Sequence, residues 1–364
     1  MKISFSLFIV LYYSFCFAQG GSPAFPYYSG FNFNQNSTDL KNDLSSKIIA
    51  THTHLLTYQE AENAIKVVDL DPEDFSNQFV LLVYGFSNNI CPDNFSDFPD
   101  HRRRYYYEDG TSSCQWNREH TYPKSLGNPD LGTDGPGADV HHLRASDVNR
   151  NANRGNLKYG PGAGNSGNLN GFWYPGDEWK GDVARMMMYM YLHYGDQCLP
   201  INVGAGTILE TDPNMIDLFL QWNAEDPVSE IEDRRNTYTE DTTNNYYAQG
   251  NRNPFIDNPY LATKIWGGTP AENRWPTVLA FTNFDLFSSV TIYPNPTQNN
   301  QVTIASDIAL ESIQVLNTKG QILQEINHPT AINNSYAIEI QVQGFYLVKI
   351  NSNSQTTTKK VIVN

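Results

Sequence analysis

Near Phe284 the chain changes its period, and that break divides it into two parts that must fold by different rules. Downstream, apolar and polar residues alternate in short runs: 290–293, 301–304, 312–316, 345–350 and 360–363. Alternation with period two turns one face of a strand to a core and the other to water. With turn residues between the runs, residues 285–364 are expected to form a small all-β sandwich. Upstream the pattern is mixed. Residues 181–194 (GDVARMMMYMYLHY) are apolar almost all round, as in a buried helix whose methionines fill the core. Leu40, Leu44, Ile48 and Ile49 follow the capping residues Ser37, Thr38 and Asp39, so a helix is expected there. Residues 214–222 and 225–236 suggest two more, with Asp226 and Pro227 opening the second. The apolar run FVLLVY at 79–84 suits a buried strand. Two long polar stretches, 87–137 and 153–171, read as loops, and long irregular segments in a compact domain are usually functional. Residues 21–275 are therefore expected to form an α+β domain.

The N-terminus addresses the compartment. Lys2 precedes an apolar run over 3–17 that closes on Phe17-Ala18-Gln19, the three-part pattern of a secretory signal peptide over residues 1–18. The run is shorter than the roughly 20 residues a membrane span needs, and no later segment is apolar enough. The mature chain is expected to be secreted, without a membrane span, and monomeric. Cys16 would leave with the leader, and Cys91, Cys114 and Cys198 remain. At most one disulfide can then form within the chain, with one thiol left over. No Cys/His cluster has zinc-ligand spacing. The net charge of −15 sits badly with a polyanionic partner. Between His101 and Gly160, however, nine Lys and Arg stand against seven Asp and Glu, so a local basic excess falls within an acidic body.

Two segments carry chemistry in that window: CQWNREHTYPKS at 114–125 and DVHHLRASDVNRNANRGN at 139–156. Together they resemble the bacterial endonuclease I family, whose pattern is WxxEH, then DxHxL, then NxxRxN. KGDVAR at 180–185, RRN at 234–236 and QGNRNP at 249–254 resemble further family blocks, so the likeness runs over about residues 38–267. It implies a His-Me finger (ββα-metal) nuclease core with surrounding helices. It further implies a secreted enzyme that hydrolyses phosphodiester bonds of DNA and RNA with little base specificity, leaving 5′-phosphate ends. Carried over by residue, His120 is the general base, Glu119 and Asn151 hold one divalent metal, and Arg154 contacts the scissile phosphate or holds the site's carboxylates. The chemistry agrees: neutral imidazole is a good base near physiological pH. A hard cation such as Mg²⁺ takes carboxylate and amide oxygens and offsets charge on phosphate. Mn²⁺ and Ca²⁺ accept the same ligands. Among Asn149, Asn151 and Asn153, the family spacing selects Asn151, which shares a helix face with Arg154.

One geometric difficulty accompanies this assignment. Neighbouring strand residues point to opposite faces, so Glu119 and His120 must sit where a strand ends or twists, as Pro123 just beyond suggests. Arg118, Lys124, His141, Arg144, Asn156 and Arg252 are further candidates for binding substrate, and His141 and His142 equally suit structural roles. His52 and His54 have no partner at ligand spacing and read as structural. Arg102, Arg103 and Arg104 followed by Tyr105, Tyr106 and Tyr107 would suit an auxiliary nucleic-acid strip. No P-loop and no Gly-x-Ser-x-Gly elbow occurs.

The tail resembles the C-terminal sorting domain of the type IX secretion system. The likeness rests on Tyr293-Pro294-Asn295-Pro296, Asn317-Thr318-Lys319-Gly320, residues 344–349 (GFYLVK) and Lys359-Lys360. It implies a partnership with that export machinery. The rival readings are a secreted adhesin or glycan-binding protein, and a different metal phosphodiesterase.

Overall fold

The computed structural model describes residues 21–85, 102–276, 278, 290–306, 308–352 and 355–364. The expected leader and Cys91 lie outside the described residues. Two compact units divide near residue 280.

The first unit mixes helices and strands, as expected for an α+β domain. Helix α1 (Ser37–Thr51) starts under Asn36, whose side chain accepts from the Asp39 amide, one residue earlier than the caps read from sequence. Helix α2 (Tyr58–Val68) was not foreseen, although Thr57 and Glu60 form a capping box that announces it. Strand β1 (Phe79–Leu81) is shorter than the run FVLLVY, but Val80 through Tyr84 are all buried. β1 pairs with β2 (Arg103–Tyr105), and β3 (Trp116–His120) pairs antiparallel with β4 (Leu143–Asp147). Helix α3 (Val148–Arg154) follows β4 directly. Strands β2 and β3 thus emerge from a stretch expected to be loop.

Behind the β3–β4 hairpin, Trp116, Leu143 and Ala145 pack on Ala61, Ala64, Ile65 and Val68 of α2. Helix α4 (Lys180–Tyr194) buries twelve of its residues, among them Met186, Met187, Met188 and Met190, in the larger core with α1. Two boundaries differ from expectation. Asp212–Ile216 is a strand, so the helix that follows begins at Asp217. The next helix spans Glu230–Glu240 under a Ser229–Glu232 capping box rather than opening at Asp226-Pro227. Pro227 lies outside it because the side-chain cap decides the first turn.

The second unit consists of strands. Ser335–Glu339, Gln301–Ala305 and Thr291–Tyr293 form one sheet. Ile322–Asn327, Ser312–Asn317, Gly344–Ser352 and Gln355–Val363 form the other. Val302, Ile304 and Ile338 from the first sheet meet Ile313, Val315, Val348, Ile350 and Val361 from the second in one core. Along Gly344–Ser352, Tyr346, Val348 and Ile350 face in while Phe345 and Leu347 face out. Gly320, at φ +81°, turns the hairpin between Ser312–Asn317 and Ile322–Asn327. Among the described residues no helix is long and apolar enough to cross a membrane.

Candidate active site

The motif residues meet on β3, β4 and α3. Asp147 ends β4 and caps α3 by accepting from the Arg150 amide at 2.9 Å, while its other oxygen takes Arg104 at 3.0 Å. A carboxylate at this junction sets where the helix begins. Asn151 stitches the helix back to the strand, its Nδ2 donating to Asn117 Oδ1 at 2.8 Å and to the Arg118 carbonyl at 3.1 Å. A carbonyl only accepts, so the amide nitrogen must face β3. Oδ1 then points away from it and takes no hydrogen bond among the described residues.

Glu119 is 2% exposed, and its Oε1 receives the Tyr84 hydroxyl at 3.0 Å and Arg154 at 3.2 Å. Oε2 takes no hydrogen bond among the described residues. Burial raises the carboxyl above its usual range despite Arg154 and Tyr84. Arg154, 1% exposed, also donates to the carbonyls of His120 at 3.0 Å and Thr121 at 2.7 Å, and lies over the Tyr159 ring. Tyr159 in turn donates to the Thr121 carbonyl and meets Tyr84 at 2.6 Å. A guanidinium used in this way braces the end of β3 and is not directed at solvent.

His120 is the last residue of β3, so the strand stops where the two neighbouring side chains would otherwise diverge. Its Nε2 lies 3.0 Å from the Gly137 carbonyl and must carry the hydrogen, which leaves the Nδ1 lone pair as the acceptor. The ring stacks on Tyr58 at 5.8 Å and tilts against His142 at 5.5 Å. Burial, then the charge of His142, lowers its pKa to about 3, so the imidazole is neutral at physiological pH. The arrangement therefore offers a fixed neutral base, with two oxygens free to accept a cation. Two hard oxygens on a buried carboxylate and an amide suit Mg²⁺ or a similar ion. The burial penalty on Glu119 is the kind a bound cation relieves.

The remaining candidates scatter. Lys124 lies close enough to His120 to depress its protonation and makes no ion pair among the described residues. Arg118 pairs with Glu62 at 2.9 Å and lies 3.6 Å from the centre of the Tyr58 ring, partly exposed. Asn156 is exposed, at 3.5 Å from the Ser125 hydroxyl. The other three are turned inward and buried. His141 is buried, with Nε2 on the Asn251 carbonyl and its ring against Tyr189. Arg144, fully buried, pairs with Asp69 and Asp182. Arg252 is held by Asp257 and Glu240. His142 donates to the Pro136 carbonyl beneath His120.

The basic window dissolves in the same manner. Arg104, Arg144 and Arg154 are buried, while Arg102, Arg103 and Arg118 pair with Glu178, Asp71 and Glu62. Lys124, Arg150 and Lys158 make no ion pair among the described residues. Arg150, beside Asn151 and half-buried, was not singled out from sequence; only its place in the motif pointed to it. Tyr84 and Tyr159 were missed too, because nothing local in the sequence joins them to Glu119. Cys114 is disulfide-bonded and Cys198 is a buried free thiol.

Comparison with known proteins adds the family context. The Endonuclease I family model matches residues 36–260, and the model described as a secretion system C-terminal sorting domain matches 291–364. The extracellular ribonuclease of Bacillus subtilis (strain 168) is 37% identical over 254 residues, covering 66% of this chain and 78% of that one. That of Bacillus amyloliquefaciens is 38% identical over 243 residues, with 64% and 75% covered. A solved surface component of the type IX secretion system of Porphyromonas gingivalis aligns over 23% of this chain and 12% of its own, at 17% identity and a TM-score of 0.19. An overlap that slight carries no argument.

Proposed function

The chain belongs to the endonuclease I family, and from that premise we propose that it is a secreted, divalent-metal-dependent nuclease hydrolysing phosphodiester bonds in RNA and DNA. The β3–β4–α3 unit is read as a His-Me finger, within a catalytic domain over 21–275. Residues 1–18 are read as a leader, and 285–364 as a sorting sandwich that partners the type IX export machinery. The observation that carries the reading is the His120 ring, held through Nε2 by the Gly137 carbonyl with Nδ1 left as acceptor.

In this reading Nδ1 takes a proton from the attacking water as its oxygen bonds to phosphorus, and the bond to the 3′ oxygen breaks, that oxygen taking a proton from solvent, to leave 5′-phosphate and 3′-hydroxyl ends. Glu119 Oε2 and Asn151 Oδ1 would hold the cation, Mg²⁺ by ligand type. When bound, it offsets charge on the phosphate and on the leaving oxygen. Arg154 and Tyr84 act through Glu119: they fix Oε1 so that Oε2 is presented. Lys124 and Arg150, which make no ion pair among the described residues, would meet backbone phosphates, and Arg118 and Asn156 flank them. These contacts are to the backbone, so little base preference is expected. Both relatives are extracellular ribonucleases, which supports RNA as a substrate alongside DNA.

A digest of plasmid and of RNA by the purified protein tests this. Cleavage of both should require Mg²⁺ and stop in EDTA, and activity that persists unchanged in EDTA would overturn the metal role. A protein that never cuts under any condition would fit an adhesin instead. Tyr84→Phe should weaken Mg²⁺ for cleavage by about tenfold, because outer-shell partners of a ligating carboxylate typically contribute that much. Titrating the rate against Mg²⁺ reads it, and an unchanged midpoint would remove Tyr84 from the site.

A further inference from the structure

Away from β3 and α3, three further metal-ligating side chains meet. His52 closes the C-terminal end of α1, His193 stands in the last turn of α4, and Asp139 lies in the loop before β4. His52 Nδ1 is 2.7 Å from His193 Nε2, and His193 Nε2 is 3.9 Å from Asp139 Oδ2. The three ligand atoms all lie within 4.8 Å of one another. We propose that His52, His193 and Asp139 form a second divalent-metal site, one that takes Zn²⁺ with solvent as its fourth ligand.

Ligand chemistry separates this site from the first. Two imidazole nitrogens and one carboxylate suit Zn²⁺ and its transition-metal neighbours, whereas Mg²⁺ and Ca²⁺ prefer oxygen alone. Around a tetrahedral zinc at about 2.0–2.1 Å, ligand atoms stand roughly 3.4 Å apart. The contacts of 2.7 Å and 3.9 Å bracket that spacing. Closing the site takes movement of well under a residue's width, and His52, half-exposed at a helix end, has room for it.

An outer shell is already in place. Gln249 Nε2 and the His141 amide donate to Asp139 Oδ1 at 3.0 and 2.8 Å, while the hydroxyls of Tyr189 and Tyr194 each donate to Oδ2 at 2.8 Å, where one of them gives up its place to an arriving ion. Such partners orient a ligating carboxylate and hold it ionised. An ion here ties α1, α4 and the loop that also supplies the Gly137 carbonyl to His120. The pair of histidines lies 141 residues apart in sequence, so no ligand spacing could reveal it.

The test uses the mature, untagged chain, stripped with chelator and titrated with Zn²⁺ alone by calorimetry and thermal melting. It is run in parallel in Glu119→Gln, which removes the carboxylate of the nuclease site. One equivalent should bind in Glu119→Gln, and at least that one in the parent. At a hundredfold excess over Kd, the melting temperature should rise by roughly 5 °C. His52→Ala and His193→Ala should each lose at least tenfold in affinity, with helix content by circular dichroism retained. Should His193→Ala fail to fold, His52→Ala at the half-exposed helix end decides. The proposal is overturned if the stripped protein binds no zinc, or if the equivalent and its melting shift survive in the His52 variant. The readout contains no cleavage step, so it stands or falls apart from the nuclease reading.

Discussion

His120→Ala should cut plasmid DNA and RNA about a thousandfold more slowly than the parent, within the range that a positioned general base contributes. The chain loses one ring that touches Tyr58 and His142 and one hydrogen bond to Gly137. Neither contact belongs to a hydrophobic core, so the melting temperature should move by only a few degrees. Binding of a nucleic acid in the presence of Ca²⁺ should persist, because Lys124, Arg150, Glu119 and Asn151 remain. Single-turnover cleavage measured beside a binding isotherm separates the two effects. A variant that cleaves at the parental rate would remove His120 from the chemistry and with it the proposed mechanism. A variant that neither binds nor melts cooperatively would show the ring to be a fold element instead.

Arg144→Ala should produce the largest loss of stability. Arg144 is fully buried, 3.0 Å from Asp69, 3.1 Å from Asp182 and over the Trp179 ring. Asp69 also pairs with Arg235, and Arg185 with Glu232 at 2.6 Å and with Asp182 at 3.6 Å. Three guanidiniums thus balance three carboxylates in a water-poor interior. Removing one member leaves a buried charge unpaired, at a cost of about 3–5 kcal/mol. For a domain of this size that lowers the melting temperature by about 10 °C. Arg144→Met with Asp182→Asn, which restores the balance locally, should recover part of the loss. Thermal melts of the parent and the two variants check this. If Arg144→Ala instead keeps its melting temperature while binding DNA more weakly, the side chain serves phosphate after all.

The difference between those two outcomes is also the difference between what motif and environment can say. WxxEH and NxxRxN lie in two short stretches, and the turn and cap residues that join them, Asp147 above all, are local. The family resemblance implied the strand–strand–helix frame around Glu119, His120 and Asn151, whereas local pattern placed β3 in a loop stretch, because its partner β4 lies 23 or more residues away. The tail was legible through its period: Tyr346, Val348 and Ile350 face in as alternation requires of a half-buried strand. Its strand Ile322–Asn327 was not legible because it lies at a sheet edge and buries no residue, whereas Ser335–Glu339 carries the alternation, with Tyr336 and Ile338 facing in. Helix α2 escaped because a capping box was overlooked, not because the signal was missing.

What resisted the sequence was partnership across distance. Charge counted over residues 101–160 is a property of a segment, whereas potential is a property of a surface. Burial of Arg104, Arg144 and Arg154 and the pairing of Arg102, Arg103 and Arg118 turn most of that positive charge inward. His52 and His193 approach only because α1 and α4 pack side by side in the core. The sequence by itself determined the two-part organisation, the strand period of the tail and the order of the motif residues, whereas the β3–β4 pairing that assembles them joins residues 23 to 31 apart. Tertiary structure alone decided which cations reach solvent, which tautomer His120 holds and what meets Asp139. Those choices depend on desolvation and on contacts between segments that only the folded chain brings together.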